Sequence, residues 1–277
     1  MFDRFSRSWE LAKASASVLQ SDKELLVFPL MSGLAALVVM ATFVVPIYTF
    51  RLFEHGIGVG GAFFGFLFYF CSYAVAFFFN SALVAAALIR LEGGDPTVAD
   101  GLAAARARLV PILGYAAIAA TVGMLLQGLR GKDNNVIVRM IGAGLGLAWT
   151  LSTFLVVPVL VSENVGPIDA IHRSLGLLKR TWGENAIGNA GLGLVFGLVF
   201  FAAIAVGALL VIGSASVSIK LAFVVGALVA LALVLLGIVQ SALSSVYAAA
   251  LYRYATVGEA PAGFEGTAIA TAFAPRR

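Results

Sequence analysis

The stretch Phe77–Leu109, FFFNSALVAAALIRLEGGDPTVADGLAAARARL, contains the pattern that decides the fold. It begins as a continuous apolar run that holds a single amide, Asn80, and leaves the apolar region at Arg90. The sequence Gly-Gly-Asp-Pro at 93–96 predicts a turn, because glycine permits unusual backbone angles and Pro96 suits the start of a new helix. The stretch therefore predicts a membrane-spanning helix, a turn at the membrane surface and a short second helix.

The start of the second helix has two candidate caps, Asp95 and Thr97. Thr97 and Asp100 also have the spacing of a capping box.

The composition of the whole chain indicates a membrane protein. Of its 277 residues, 61% are hydrophobic and only 12% are charged. Soluble domains carry about 25% charged residues, so this chain has too few to cover a water-soluble globule. Six apolar runs approach or exceed the ~18–20 residues that span a hydrocarbon core, and their continuous pattern favours helices over a β-barrel. The predicted spans of this all-α polytopic membrane protein are residues 25–49, 62–89, 109–129, 136–161, 186–212 and 221–251.

Two amphipathic segments carry basic residues beside an apolar face. Residues 2–20 repeat apolar side chains at helical spacing, and residues 163–184 do the same between the fourth and fifth spans. Such segments predict contact with anionic lipid headgroups or with a membrane partner, and the alternative is a solvated helix packed on the bundle. The candidate contact residues are Arg7, Lys13, Arg106, Arg108, Arg173, Lys179 and Arg180.

The distribution of lysine and arginine predicts the orientation. Of the 18 such residues, 13 lie with the N-terminus, the connectors 90–108 and 163–184, and the C-terminus, and 5 lie on the opposite side. Cytoplasmic loops carry an excess of these residues. We therefore predict a multi-pass protein of the cytoplasmic membrane with both termini in the cytoplasm.

The connectors suggest an internal threefold repeat. The segment RSWELAK at 7–13 resembles RSLGLLK at 173–179, and a proline follows a glycine shortly after each even-numbered span. Each unit would be an amphipathic helix followed by a helical hairpin, although connectors of this kind also converge on similar residues. The predicted units are 1–95, 96–166 and 167–257 of one membrane domain, 1–257, followed by a cytoplasmic tail, 258–277, that we predict to be poorly ordered.

Aligning these units brings polar residues of the even-numbered spans to one level. If those spans face each other, the polar groups form a central layer that could hold a small or lipidic solute in a transporter or channel. The structural alternative is interhelical hydrogen bonding, worth about 0.6 kcal/mol per pair, because a buried amide needs a partner in any membrane bundle. The candidates are Asn80, Thr150, Ser152, Gln240 and Ser244, with Ser245 beside the last.

We find no catalytic or cofactor motif in the sequence. No carboxylate lies centrally in a predicted span, which argues against ion-coupled transport. His55 and His172 fall on opposite sides of the predicted topology and cannot share a metal, and Cys71, the only cysteine, cannot form an internal disulfide. We therefore expect a non-enzymatic protein without metal, cofactor or nucleic acid. The expected partners are membrane lipids, and a membrane protein or a second copy of the chain is compatible with the pattern.

Five segments carry a resemblance to a known family. They are FDRFSRSWELAKAS at 2–15, SDKELLVFPLMSG at 21–33, FFFNSALVAAALIRLEGGDPTVADGL at 77–102, GLAWTLSTFLVVPVLVSENVGPIDAIHRSLGLLKRTWGE at 146–184 and YAAALYRYATVG at 247–258. Together they resemble a family of prokaryotic integral membrane proteins catalogued as domain of unknown function 6159. The resemblance extends over nearly the whole chain. It implies a six-span inner-membrane protein and brings no activity or catalytic residues.

Overall fold

The computed structural model describes residues 13–50, 58–131 and 136–259, together with Pro261 and Phe264. Side chains are described in these ranges except at 48–50, 129–131, 136–141 and 180–195. The described chain is helical and contains no strand. Its elements are α1 (13–21), a 3-10 helix (Lys23–Leu26), α2 (Val27–Phe50), α3 (Val59–Leu91), α4 (Val98–Ala107), α5 (Leu109–Gly131), α6 (Val136–Ser152), α7 (Val156–Ser162), α8 (Pro167–Ala215) and α9 (Ile219–Val257).

Six segments within the described residues are long and apolar enough to cross a membrane, which confirms the predicted class. They are Lys23–Ile47, Val59–Leu91, Leu109–Gly128, Gly142–Ser162, Phe196–Ala215 and Ile219–Val257. The central segments are α3, α7 and α9, because α3 packs against both of the others and α7 also touches α9. The even-numbered spans therefore face one another.

Two spans differ from their predicted form. The connector 163–184 and the fifth span belong to one continuous helix, α8, which has Pro167 in its first turn and no proline in its interior to interrupt the backbone hydrogen bonds. The fourth span is instead broken into α6 and α7 by a turn at 153–155. Pro158 explains the break, since its ring nitrogen cannot donate to the carbonyl of Phe154 and its ring crowds that carbonyl.

The turn after α3 forms largely as its sequence predicts. Gly93 has a backbone φ of +86°, a left-handed conformation that glycine adopts without strain. Thr97 caps α4 in a capping box: its hydroxyl accepts a hydrogen bond from the Asp100 amide, and its own amide donates to the Asp100 carboxylate at 2.9 Å. Hydrogen bonds from the Thr97 hydroxyl and amide lower the pKa of Asp100. Thr97 is therefore the cap, and Pro96 lies just before the helix.

Polar contacts join the segment ends at one end of the bundle. Arg253 at the end of α9 pairs with Glu92 at the end of α3, and the backbone amide of Val98 donates to Glu24 before α2 at 3.1 Å. We call the end that carries Glu24, Glu92, Val98 and Arg253 the connector end. The opposite end, where Lys220 lies between α8 and α9, is the hairpin end.

The core lies in the half of the bundle nearer the connector end, as one face of α9 demonstrates. Ala242 and Val246 are fully buried there, whereas Leu231 and Leu235, farther along the same helical face, are 55% and 52% exposed. The bundle is therefore tightly packed near the connector end and open to the surrounding medium near the hairpin end. Phe264 is fully buried in the same core, so this residue of the predicted tail packs against the bundle. Of the tail 258–277, which we predict to be poorly ordered, the structure describes only Gly258, Glu259, Pro261 and Phe264.

Candidate functional site

The predicted polar layer contains one interhelical hydrogen bond. The Ser245 hydroxyl of α9 donates to the Asn80 side-chain oxygen of α3 at 2.7 Å, and it also lies 2.9 Å from the backbone carbonyl of Ser241. Asn80 is half-buried and Ser245 is buried. The structure thus brings Asn80 to Ser245 and not to the predicted Ser244, which is the next residue along the helix and faces a different direction.

The other candidates for this layer are engaged locally or lie elsewhere. Thr150 and Ser152 each donate to the backbone carbonyl four residues earlier in α6, at 2.9 and 2.6 Å. Such back-bonding satisfies a hydroxyl inside its own helix. Gln240 and Ser244 are half-buried on α9, without a hydrogen bond to Asn80. The geometry therefore supports a structural contact between α3 and α9 more directly than a continuous polar layer.

Ser174 of α8 stabilises the break in the fourth span. Its hydroxyl is fully buried, donates to the Ser152 carbonyl at 2.8 Å and accepts from the Leu155 amide at 3.2 Å. These two backbone groups flank the turn between α6 and α7 and would otherwise lie unpaired in an apolar environment. One side chain thus replaces helical hydrogen bonds that the turn removes. Such a replacement is needed because backbone groups inside a membrane have no water to bind.

Glu163 is the centre of a polar cluster at the connector end. One of its carboxylate oxygens accepts from the Arg173 guanidinium at 3.2 Å and from the Tyr252 hydroxyl at 3.1 Å. Arg108, which precedes α5, donates to the side chain of Asn164. The cluster therefore ties the end of α7 to α5, α8 and α9, and it can fix helix ends without performing chemistry.

The seven predicted basic contact residues fall into three groups. Arg108 and Arg173 are held by Asn164 and Glu163, as just described. Lys13, Arg106 and Lys179 are exposed, and the described residues offer none of them an ion pair. Arg7 and the side chain of Arg180 lie outside the described part of the structure.

Acidic residues at the connector end are mostly engaged with backbone amides or with arginine. Glu24 accepts from the Val98 amide and Asp100 from the Thr97 amide, so both satisfy donors at the start of α4. Glu92, Asp95 and Glu163 each pair with an arginine. Asp169 and Glu259 are exposed and have no partner among the described residues, as is also true of Lys13, Arg106 and Lys179.

The sequence reasoning missed Ser174, Tyr252 and Asp22, which are all buried at structurally decisive places. The first two lie in apolar helical patterns that mark them as core positions without indicating a polar partner. Asp22 precedes the first span and resembles an ordinary surface residue in the sequence. Within the described residues, no group of three or more His, Cys, Asp and Glu side chains is arranged to hold a metal ion.

Taken together, the apolar helices, the polar contacts at one end and the interhelical bond within the core define a multi-span helical membrane protein. The sequence profile of the family of unknown function DUF6159 matches residues 59–264, which is most of the chain. The protein belongs to this family, and the predicted resemblance is confirmed. No curated protein and no solved structure is detectably similar to the chain.

Proposed function

We propose that this chain is a non-enzymatic protein of the prokaryotic cytoplasmic membrane whose connector end binds anionic lipid headgroups. The observation that carries the proposal is the unequal use of charge at that end. Most carboxylates there are bound to amides or arginines, and two, Asp169 and Glu259, are exposed without a partner in the described structure. Lys13, Arg106 and Lys179 also project there without an ion pair, so basic residues outnumber these free carboxylates. Each basic residue near an anionic surface contributes about 1 kcal/mol of attraction.

The same proposal includes an orientation. Both termini and the connectors would lie in the cytoplasm, in agreement with the excess of lysine and arginine on that side. The polar contacts that gather the ends of α3, α7 and α9 support a common side for these segments. We also propose that the three units 1–95, 96–166 and 167–257 descend from one repeat, since the even-numbered spans of all three meet in the core.

Lipid retention tests the proposal. The protein is released in mild detergent from membranes with equal amounts of phosphatidylglycerol and phosphatidylcholine, and bound lipid is counted by native mass spectrometry. Arg106→Gln and Lys179→Gln should each lower the retention of phosphatidylglycerol roughly fivefold, because each removes about 1 kcal/mol of attraction. Lys220→Gln, an exposed lysine at the hairpin end, is the matched control and should retain wild-type lipid.

Equal loss of both lipids in the connector-end variants would overturn the proposal, because it would indicate general destabilisation. Unchanged retention would overturn it as well. A membrane protein or a second copy of the chain that co-purifies with the wild type and is lost with Lys179→Gln would transfer the role of this surface from lipid to that partner.

A second candidate function is passage of a small or lipidic solute between the even-numbered spans. The observation that favours it is the hydrogen-bonded pair Asn80 and Ser245, which places polar groups between two of those spans. Ala242 and Val246, on either side of Ser245 along α9, are fully buried, so passage requires the helices to separate at this level. On this proposal Asn80→Leu abolishes passage while the protein still folds, and the stability measurement described in the Discussion separates the two effects.

A further inference from the structure

The N-terminal helix α1 packs against the bundle through an apolar face that includes two polar side chains. Ala14, Val18 and Leu19 are buried in the same core as the central helices. Ser15 and Asp22 are 0% and 7% exposed, and they lie seven residues apart, which places them on the same side of the helix. The buried face of α1 therefore contains two polar side chains, although the core that it packs against is apolar.

Neither polar side chain is fully satisfied. The Ser15 hydroxyl and one carboxylate oxygen of Asp22, Oδ2, are buried without a hydrogen-bond partner in the described structure. The other oxygen, Oδ1, accepts from the Glu24 amide at 3.2 Å. Burial of an unpaired polar group opposes docking, and it does so most strongly when the group carries a charge. The free energy of docking α1 against the bundle therefore includes an unfavourable contribution, which is larger when Asp22 is ionised.

The position of Asp22 adds to this penalty. Its backbone amide donates to the Val18 carbonyl at 3.1 Å, so it lies at the C-terminus of α1, where the helix dipole disfavours negative charge. Oδ1 also caps the following 3-10 helix, which partly offsets that effect. The remaining buried oxygen has no donor.

Three charged groups face Asp22, and they do not neutralise it. Arg90 at the end of α3 is the cation, but its guanidinium is shared with Asp95 at 3.3 Å and with the Gly94 carbonyl at 3.3 Å. Glu24 and Asp95 add negative charge. No charged group of α9, which also packs on the 3-10 helix, is among those that act on Asp22 in the described structure.

We infer that Asp22 is the proton-sensitive element of a latch that holds α1 against the bundle, with Arg90 as its counter-charge. Protonation removes the buried charge and favours the docked helix, whereas deprotonation favours release. Release would expose the apolar face of α1 beside Lys13, at the membrane surface. The inference concerns the docking of α1, and it does not depend on which lipid or partner the connector end binds.

The direction of the pH dependence follows from the environment of the carboxyl group. Desolvation by burial raises the pKa of Asp22, and this effect exceeds the opposing effects of the Glu24 amide and Arg90. A carboxyl group with a raised pKa in the docked state stabilises docking when it is protonated, and that stabilisation is lost as the pH rises through the raised value. Docking should therefore be tight below the ordinary Asp pKa of about 3.9 and should loosen as the pH rises through the raised value.

The test is the mobility of a spin label on α1 in the full chain. A cysteine introduced at exposed Ser17, in a Cys71→Ser background, carries the label in lipid nanodiscs. In the otherwise wild-type protein, the mobile fraction should rise as the pH is raised from below about 3.9, the ordinary Asp pKa, to neutrality. Asp22→Asn should remain immobile throughout this range, because the amide cannot ionise. Asp169→Asn changes the net charge equally on an exposed residue of α8 and should keep the wild-type pH response.

Arg90→Gln provides a second variant that does not alter the titrating group. Loss of the counter-charge makes the ionised carboxylate still less favourable in the docked state, so α1 should be released more readily and the midpoint of release should move to lower pH. The inference is overturned if label mobility in the wild type does not change with pH, or if Asp22→Asn keeps the wild-type response. It is also overturned if Asp169→Asn abolishes that response, or if Arg90→Gln leaves the midpoint unchanged.

Discussion

The hydrogen bond between Asn80 and Ser245 allows a direct measurement of how much a polar contact in the core contributes to the free energy of unfolding. The perturbation is a double-mutant cycle that combines Asn80→Leu with Ser245→Ala. Interhelical hydrogen bonds in membrane proteins contribute about 0.6 kcal/mol on average and up to about 1.7 kcal/mol. The local geometry determines where in this range the pair should fall.

Ser245 has only one hydroxyl proton, and two acceptors lie within reach of it. The Asn80 oxygen is 2.7 Å away and the Ser241 carbonyl is 2.9 Å away. When Asn80 becomes leucine, the proton can turn fully toward Ser241, so the hydroxyl is not left unpaired. We therefore expect a coupling free energy near about 0.6 kcal/mol, which is roughly a threefold change in the unfolding equilibrium constant.

The assay is reversible unfolding in mixed micelles with an increasing fraction of denaturing detergent, followed by circular dichroism. The coupling free energy is obtained from the wild type, both single variants and the double variant. A value indistinguishable from zero would mean that the two side chains do not interact. A value well above about 1.7 kcal/mol would refute the argument that Ser241 replaces the lost acceptor. If Asn80→Leu folds with this small penalty and yet loses solute passage, the second candidate function gains its first support.

Two further predictions concern packing and the broken span. Ser174→Ala should destabilise the protein by about 1–3 kcal/mol, because it leaves the backbone groups on either side of the α6–α7 turn unpaired; Ser216→Ala, at the exposed hairpin end, should cost much less in the same unfolding assay. Gly101→Ala should destabilise by about 1–3 kcal/mol, because the new Cβ would lie 2.6 Å from the Ala82 carbonyl oxygen of α3.

Each of these predictions has an outcome that contradicts it. Equal effects of Ser174→Ala and Ser216→Ala would mean that the buried hydroxyl does not support the turn. Gly176→Ala is the matched control for Gly101, since its Cβ would meet no atom within 4 Å and alanine favours helix. If Gly101→Ala is as stable as Gly176→Ala, the close approach of α4 to α3 does not constrain the fold.

Several features could be read from the sequence because they depend on short-range rules. Apolar runs of membrane length identify spans wherever they occur, since the hydrocarbon core fixes the length that a helix requires. The turn after α3 was predictable for a similar reason, because Gly93 and the pair Thr97 and Asp100 encode their conformations locally. The membrane class, the six spans and the capping box all belong to this category.

The hydrogen-bond partners of side chains inside a span were harder to predict, because an apolar sequence does not show how the helix is rotated against its neighbours. Nothing in the pattern around Ser174 distinguishes a hydroxyl that crosses to another helix from one that bonds within its own, as Thr150 does. The one-residue difference between Ser244 and Ser245 has the same cause, because adjacent residues differ by about 100° around a helix. Which one meets Asn80 depends on how α9 is rotated against α3.

The membrane class, the number of spans and the turn after α3 follow from the residues alone, because hydrophobic length and turn chemistry act over a few residues. Which helix ends meet, as in the contacts of Glu163 with Arg173 and Tyr252, and which half of the bundle is closely packed depend on the tertiary fold. The burial of Asp22 also depends on it, since the helices that cover this residue are distant along the chain. Long-range packing sets these features, and no local pattern encodes it.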